Sequence, residues 1–346
     1  MTTRRTLLMS ALATASVTAL SACGASEDAS SASTAGTSTS AASYPITITH
    51  ALGTTTIEKA PERIATVGWA NHEVPLALGV VPVGMSKATF GDTDGDGMLP
   101  WVKSKLTELG AATPVLFDET DGVDLEAVAD TTPDVILAAY SGLTAEEYEK
   151  LSKIAPTIAY PKVAWTTTLD EMISLDGQGM GRAADAEALA KTLNETIATK
   201  LADHADLKGL TAMFAYIDAT DMSKIGYYTN HDPRAAFLYD QLGFTMPATV
   251  KKGSDDETVF YQTISAEQGD QLDDVDLIIG YGDAATLKTW QSDKLLARVR
   301  ALKAGAVAML GNDTALAASS NPSPLGIDST LDEYLALLSA AAKKVA

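Results

Sequence analysis

The side chains best suited to chemistry in this 346-residue sequence are aromatic and cationic, and they follow short apolar runs. Trp69 and Asn71, Lys87 and Phe90, Tyr140 and Ser141, and Trp165 lie in the first half. Tyr227, Tyr228, Arg234, Tyr261 and Tyr281 lie in the second. Open α/β sheets bind ligands outside the carboxyl ends of their strands. If the apolar runs are strands, these residues therefore share one binding surface. Aromatic faces take an organic body, while Arg, Lys and phenolic hydroxyls take its oxygen atoms. Each cation–π or aromatic contact contributes about 0.5–2 kcal/mol, so several together bind tightly without a direct bond to metal.

Other chemistries lack their residues. There is no Gly-x-Ser-x-Gly elbow, and the only cysteine, Cys23, lies in the leader. His50, His72, His204 and His231 form no HxH or HxxxH pair, so no zinc site is supported. Asp92-Thr-Asp-Gly-Asp-Gly97 has the acids and glycine of a calcium loop, but Lys103 stands where an EF-hand needs a bidentate Glu. That acidic turn is expected to be a mobile flap at the mouth of the cleft. Gly177-Gln-Gly-Met-Gly181 follows a helical pattern rather than a strand, so it is no dinucleotide loop.

The elements that would position these residues alternate. Ile46 to Thr49 and Thr54 to Ile57 predict a hairpin. Arg63 to Val67, Val81 to Met85, Pro133 to Ala139 and Thr157 to Tyr160 predict strands, separated by helices at His72–Leu78, Asp124–Ala129 and Glu146–Ile154. The rhythm returns with strands at Thr211–Ile217, Lys224–Tyr228, Asp276–Tyr281 and Ala306–Leu310. Helices are expected at Pro233–Leu242, with Asp232 as cap, at Ser265–Leu272 and at Thr330–Lys343. Between the halves, Leu169, Met172, Ile173, Leu189, Leu193, Ile197 and Leu201 fall at helical spacing. The reading is an α/β protein of two lobes, each a mostly parallel sheet flanked by helices, joined by one long helix. Three glycines within that helix predict a kink or break. The lobes are 44–167 and 205–346, and the connector is 168–204.

Composition bounds the remainder. Of all residues 46% are hydrophobic and 20% charged, enough to bury a core. The formal charge of −20 becomes −22 once residues 1–22 and their Arg4 and Arg5 are removed, a surface that repels nucleic acid and anionic headgroups. Arg4 and Arg5, the short apolar run Thr6 to Leu20, and Leu20-Ser21-Ala22-Cys23 read as an export leader (1–22). The apolar run is shorter than the ~20 residues of a spanning helix. Its ending resembles the lipobox of bacterial lipoproteins, which implies a diacylglycerol on Cys23 and an anchor on the outer face of the cell membrane. Thr3 to Leu8 matches a twin-arginine signal only in part, which leaves the export route open. Gly24 to Ser43 is almost wholly Gly, Ala, Ser and Thr, so 23–43 is a lipidated cysteine and flexible tether.

The order of these segments resembles the substrate-binding proteins of ABC importers that carry ferric siderophores, haem and cobalamin. Pro61 to Val67, His72 to Gly84, Leu125 to Leu137, Leu151 to Thr157, Phe237 to Gly243 and Ile264 to Ile279 carry the resemblance. It implies a monomeric binding protein, not an enzyme, with the post-strand residues named above lining the cleft. The implied cargo is a ferric siderophore, with haem or cobalamin as alternatives and no resident cofactor or metal. It further implies that Glu73 and Asp240 dock on arginines of the permease. A chelate-processing enzyme is the rival from another class, and the missing nucleophile and metal cluster speak against it.

Overall fold

The structure, a computed structural model, describes residues 42–345. The expected leader, Cys23 and most of the tether lie outside the described residues. Among the described residues, no helix is long and apolar enough to cross a membrane.

Alternation of Ile and Thr gives the antiparallel hairpin β1 (Ile46–His50) and β2 (Gly53–Ile57), which buries Ile48 and Ile57. The first lobe is a parallel sheet of β3 (Ile64–Thr66), β4 (Gly84–Ser86), β5 (Val115–Phe117), β6 (Val135–Leu137) and β7 (Thr157–Ile158), in the order β5-β4-β3-β6-β7. The continuous apolar run of β6 is buried along its whole length, as a strand covered on both faces requires.

The second lobe holds β8 (Ala212–Tyr216), β9 (Lys224–Tyr228), β10 (Tyr261–Ser265), β11 (Leu277–Tyr281) and β12 (Val307–Leu310), in the order β10-β9-β8-β11-β12. This sheet is mixed rather than mostly parallel. β8, β11 and β12 run parallel, while β9 and β10 pair antiparallel. The link from β8 to β9 is too short for the crossover of about a dozen residues that a parallel neighbour needs.

The connector differs from a single helix. It is two helices, Leu169–Gly179 and Ala183–Ala202, folded back on each other about Met180 to Arg182. Asn194 Nδ2 donates to Asp170 Oδ1 at 3.2 Å, a contact that only an antiparallel hairpin allows. The glycines make the fold-back possible. A Cβ on Gly177 would lie 2.1 Å from that of Ala186, and Gly181 turns with φ +68°. The expected kink is thus a full reversal.

The lobes are spanned by the second of these helices and by the closing helix Pro324–Ala342. At 20 and 19 residues, each reaches roughly 30 Å. They run side by side and parallel, fixed by Lys200 to Asp332 at 2.9 Å and His204 Nδ1 to Ser339 Oγ at 2.7 Å. The closing helix starts earlier than apolar periodicity predicted, because Ser323 caps it and Pro324 fits its first position. One hydrophobic core runs from β6 through Ile173, Ile197 and Leu338 to Phe214 and Ile279, so the lobes share an interior.

Both spanning helices are moored to the short helix Glu73–Ala77 of the first lobe. Arg182, ahead of one, donates to Leu78 O at 2.8 Å. Glu73 holds the other. Its carboxylate accepts Trp101 Nε1 at 2.6 Å, Leu325 N at 2.9 Å and Gly326 N at 3.3 Å. A carboxylate there satisfies free N–H groups and complements the helix dipole. Glu73 is fully buried, which removes it as a permease-docking acid. Burial raises its pKa, and the bonds it accepts work against that rise.

Asp176, on the first helix of the hairpin, is fully buried, and neither oxygen has a well-formed hydrogen bond. Burial raises its pKa well above 3.8, which the Ala139 amide offsets in part. The folded state therefore holds this proton more tightly than the unfolded chain. The group costs nothing below the unfolded value and progressively more as pH climbs towards the folded one.

Two measurements follow from these buried acids. Glu73→Ala should lower the urea-derived stability by about 2–4 kcal/mol, since it orphans the Trp101 indole and the Leu325 amide while Gly326 N keeps its bond to Ser323, and Glu73→Gln by less. Asp176→Asn should stabilise the protein by an amount that grows as pH rises above the ordinary carboxylate range; a pH-independent difference would contradict the linkage.

Candidate functional site

The wall of the second lobe is built on strand alternation. Successive residues of β9 face opposite sides, so Tyr227 and Tyr228 cannot share a surface. Tyr228 faces the cleft, its ring edge-on to Phe214 at 5.5 Å and to Tyr261 at 5.4 Å. Tyr281, ending β11, lies 5.4 Å from Phe214 and meets Phe90 of the first lobe edge-to-face at 6.1 Å. Tyr227 is buried on the far face, where its hydroxyl donates to Thr249 O at 3.4 Å. It is not a cleft residue.

Arg234 lies on this aromatic wall, its Cζ 3.9 Å from the Tyr228 ring centre. Asp232 caps the helix Pro233–Ala236 and also grips Arg234 with both oxygens, at 2.8 Å from Nε and 2.7 Å from Nη2. Nη1 donates to the Tyr281 hydroxyl at 3.3 Å, and that hydroxyl shares a 3.1 Å bond with Ser320 Oγ. Burial disfavours the guanidinium charge, but the Asp232 carboxylate outweighs burial and holds the pKa well above its ordinary value. Burial pushes the Tyr228 phenol up to about 12, against the pull of Arg234. The expected helix Pro233–Leu242 leaves α geometry at Phe237–Gln241, a π turn that leaves Asp240 exposed.

The first lobe contributes a turn after β3. Gly68 has φ +78°, and a Cβ there would meet Tyr140 O at 2.6 Å, so only glycine lets the two strand ends close. Trp69 follows, half-buried, its amide 3.1 Å from Tyr140 O. Asn71 is fully buried and staples these loops together. Its Nδ2 donates to Val67 O at 2.7 Å and Tyr140 O at 3.0 Å, while Oδ1 accepts Tyr140 N at 2.9 Å. Ser141 is buried too, its hydroxyl donating to Ala138 O at 2.7 Å. Neither offers a group to a ligand; both hold the frame.

Tyr140 bridges the lobes, its hydroxyl donating to Asn321 Oδ1 at 3.2 Å. Burial chiefly raises its pKa, and the Asp232 charge adds to that. Trp165, 41% exposed, stands edge-on to Tyr140 at 5.7 Å. Beside it a cavity of about 220 Å³ is lined by Gly68, Glu119, Ser141, Gly142 and Glu147. A second of about 220 Å³ lies between the lobes against Lys162, Thr166, Asn230, His231 and Glu257. Enclosing pockets measure ≈ 300–1,000 Å³, so a bulky ligand would use the aromatic wall as well as these hollows. Lys87 is exposed, 3.6 Å from Asp118.

The acidic turn is tied down. Asp92 accepts Gly95 N at 2.9 Å and Gly97 N at 2.6 Å, and Lys103 bridges Asp94 and Asp96. Lys103 thus brings a positive charge to two of the three carboxylates that the turn gathers. Just before it, Gly91 N donates across the lobes to Asp313 Oδ1 at 2.7 Å.

Residues 64–314 match the family described as Periplasmic binding protein. The chain belongs to that family. The crystal structure of Streptococcus pneumoniae TIGR4 PiaA in complex with ferrichrome is 44% identical with a TM-score of 0.83, covering 87% of this chain and all of PiaA. "Probable siderophore-binding lipoprotein YfiY" of Bacillus subtilis is 28% identical, over 84% of this chain and 85% of its own length. Staphylococcus aureus SirA with staphyloferrin B, at 24% identity, TM-score 0.64 and coverage of 83% of this chain and 98% of its own, shares the fold. The relatives are binding proteins, not enzymes.

Sequence reading missed Asp232 as the partner of Arg234, and missed Phe214, Ser320 and Asn321. The Asp-Pro-Arg run was a usable signal for the first, since an N-cap carboxylate reaches a side chain two residues on. Asn71→Ala should lower stability by about 2–4 kcal/mol in urea titrations, because it strands Val67 O and Tyr140 N and leaves Tyr140 O with the Trp69 amide alone.

Proposed function

We propose that this protein captures a ferric siderophore in the inter-lobe cleft and delivers it to an ABC importer. The observation that carries the reading is the wall of Tyr228, Tyr281 and Phe90, backed by the buried Phe214, with Arg234 laid on it. Such a surface covers the organic shell of a chelate and offers N–H and O–H donors to its oxygens. The relative crystallised with ferrichrome supports it. In this reading Trp69, Tyr140, Trp165, Tyr261 and Lys87 complete the cleft. The ferric chelate is cargo, and no resident cofactor is involved. Cys23 carries a lipid, the tether spaces the folded body from the outer face of the cell membrane, and the protein acts as a monomer. Asp240 docks on the permease from its exposed π turn, without Glu73.

Tryptophan fluorescence of the mature protein should quench on titration with ferrichrome. Tyr228→Ala and Arg234→Ala should each weaken binding by about tenfold, and Tyr227→Phe should leave it unchanged. Asp240→Arg should bind normally but fail to support uptake. Flat titrations with hydroxamate, catecholate and mixed chelates would overturn the reading, and a co-purifying Soret or corrinoid band would redirect it to haem or cobalamin.

A further inference from the structure

The cations named at the cleft are each matched by a carboxylate. Lys87 lies 3.6 Å from Asp118, and Lys162 lies 3.6 Å from Glu171. Arg234, the one cation on the aromatic wall, is held by both oxygens of Asp232, which is itself buried. Glu119 and Glu147 line the hollow beside Trp165, and Glu257 lines the one between the lobes. Counted by charge, the cleft is neutral to acidic.

Ferric chelates differ sharply in charge. Three hydroxamates cancel the charge of Fe(III) and leave a neutral complex. Three catecholates, each a dianion, leave a trianion. A trianion needs unpaired cations to replace the water it gives up, whereas a neutral chelate needs only donors. Arg234 is suited to the second task. Three of its five N–H groups go to Asp232 and Tyr281, which leaves two for ligand oxygens.

Building on the siderophore reading above, we infer that Asp232 is a specificity-determining residue. By neutralising Arg234 it sets the cleft for an electroneutral ferric chelate of the trihydroxamate type and against trianionic tricatecholates. The Asp232 charge acts on the cleft beyond its partner, since it also disfavours ionisation of Tyr140 and Tyr228.

The test is a charge cycle at this pair, titrating full-length mature protein with ferrichrome as the neutral probe and ferric enterobactin as the trianion. Wild type should bind ferrichrome at least about tenfold more tightly, the scale of one unit charge acting on a trianion at roughly 8 Å even in water. Asp232→Asn frees one positive charge and should narrow that preference by about tenfold, with enterobactin binding now sensitive to salt. Asn also caps helices, so the fold should survive, as a thermal melt will show. Arg234→Gln should widen the preference, and the double variant, neutral again, should return it towards wild type. The last two variants carry the test if Asp232→Asn alone does not fold. An unchanged preference in folded variants, or equal affinity of wild type for both probes, overturns the role of Asp232 and leaves the siderophore reading standing. Binding of neither probe by wild type overturns this inference, and the siderophore reading falls with it only if mixed chelates also fail to bind.

Discussion

A single buried carboxylate sets the geometry of this molecule. Glu73 takes up the free N–H groups at the start of the closing helix and the indole of Trp101. A carboxyl group there is costly to bury, and only the several hydrogen bonds it accepts make it tolerable. The same short helix moors Arg182 at the head of the other spanning helix. Two parallel rods therefore leave the first lobe from one block and run into the second. A core continuous through both lobes adds to the restraint. Relative motion of the lobes becomes a small rocking about that block, because wide opening would have to break buried contacts along both rods.

The cleft follows from the same economy of buried polar groups. The wall residues that face it are fixed by others that do not. Asn71 and Ser141 tie the strand ends of the first lobe, and Asp232 fixes Arg234 over Tyr228. The bridging Tyr140 and the Phe90–Tyr281 contact bring both lobes to one surface. Preorganised donors and aromatic faces reduce the ordering cost of binding.

Much of this architecture was legible because it rests on local pattern. Alternating Ile and Thr announced the β1–β2 hairpin, and Pro133 to Ala139 announced a strand buried on both faces. The glycines at 177 to 181 announced an interruption, though periodicity cannot say whether a helix bends or doubles back. β5 was missed because its apolar run, Val115 to Phe117, lies alone between Pro114 and Asp118, whereas the patterns around β3, β4 and β6 extend beyond the strands themselves. Side-chain destinations were less legible. Tyr227 and Tyr228 look equivalent until pairing decides which faces the cleft. Glu73 sits where a solvated charge would also sit, and its partners at Leu325 and Gly326 are distant in sequence. Asn71 and Ser141 have the right types for recognition, yet backbone groups claim them first.

Lys103 gives the acidic turn a property of its own. A calcium loop exchanges its ion with the surroundings, so its shape tracks the ion's concentration. Here the positive charge is covalently part of the chain, and its effective concentration at Asp94 and Asp96 cannot be diluted. Gly91, which leads into the turn and bonds to Asp313, thus joins the lobes beside a turn whose counter-charge is built into the chain.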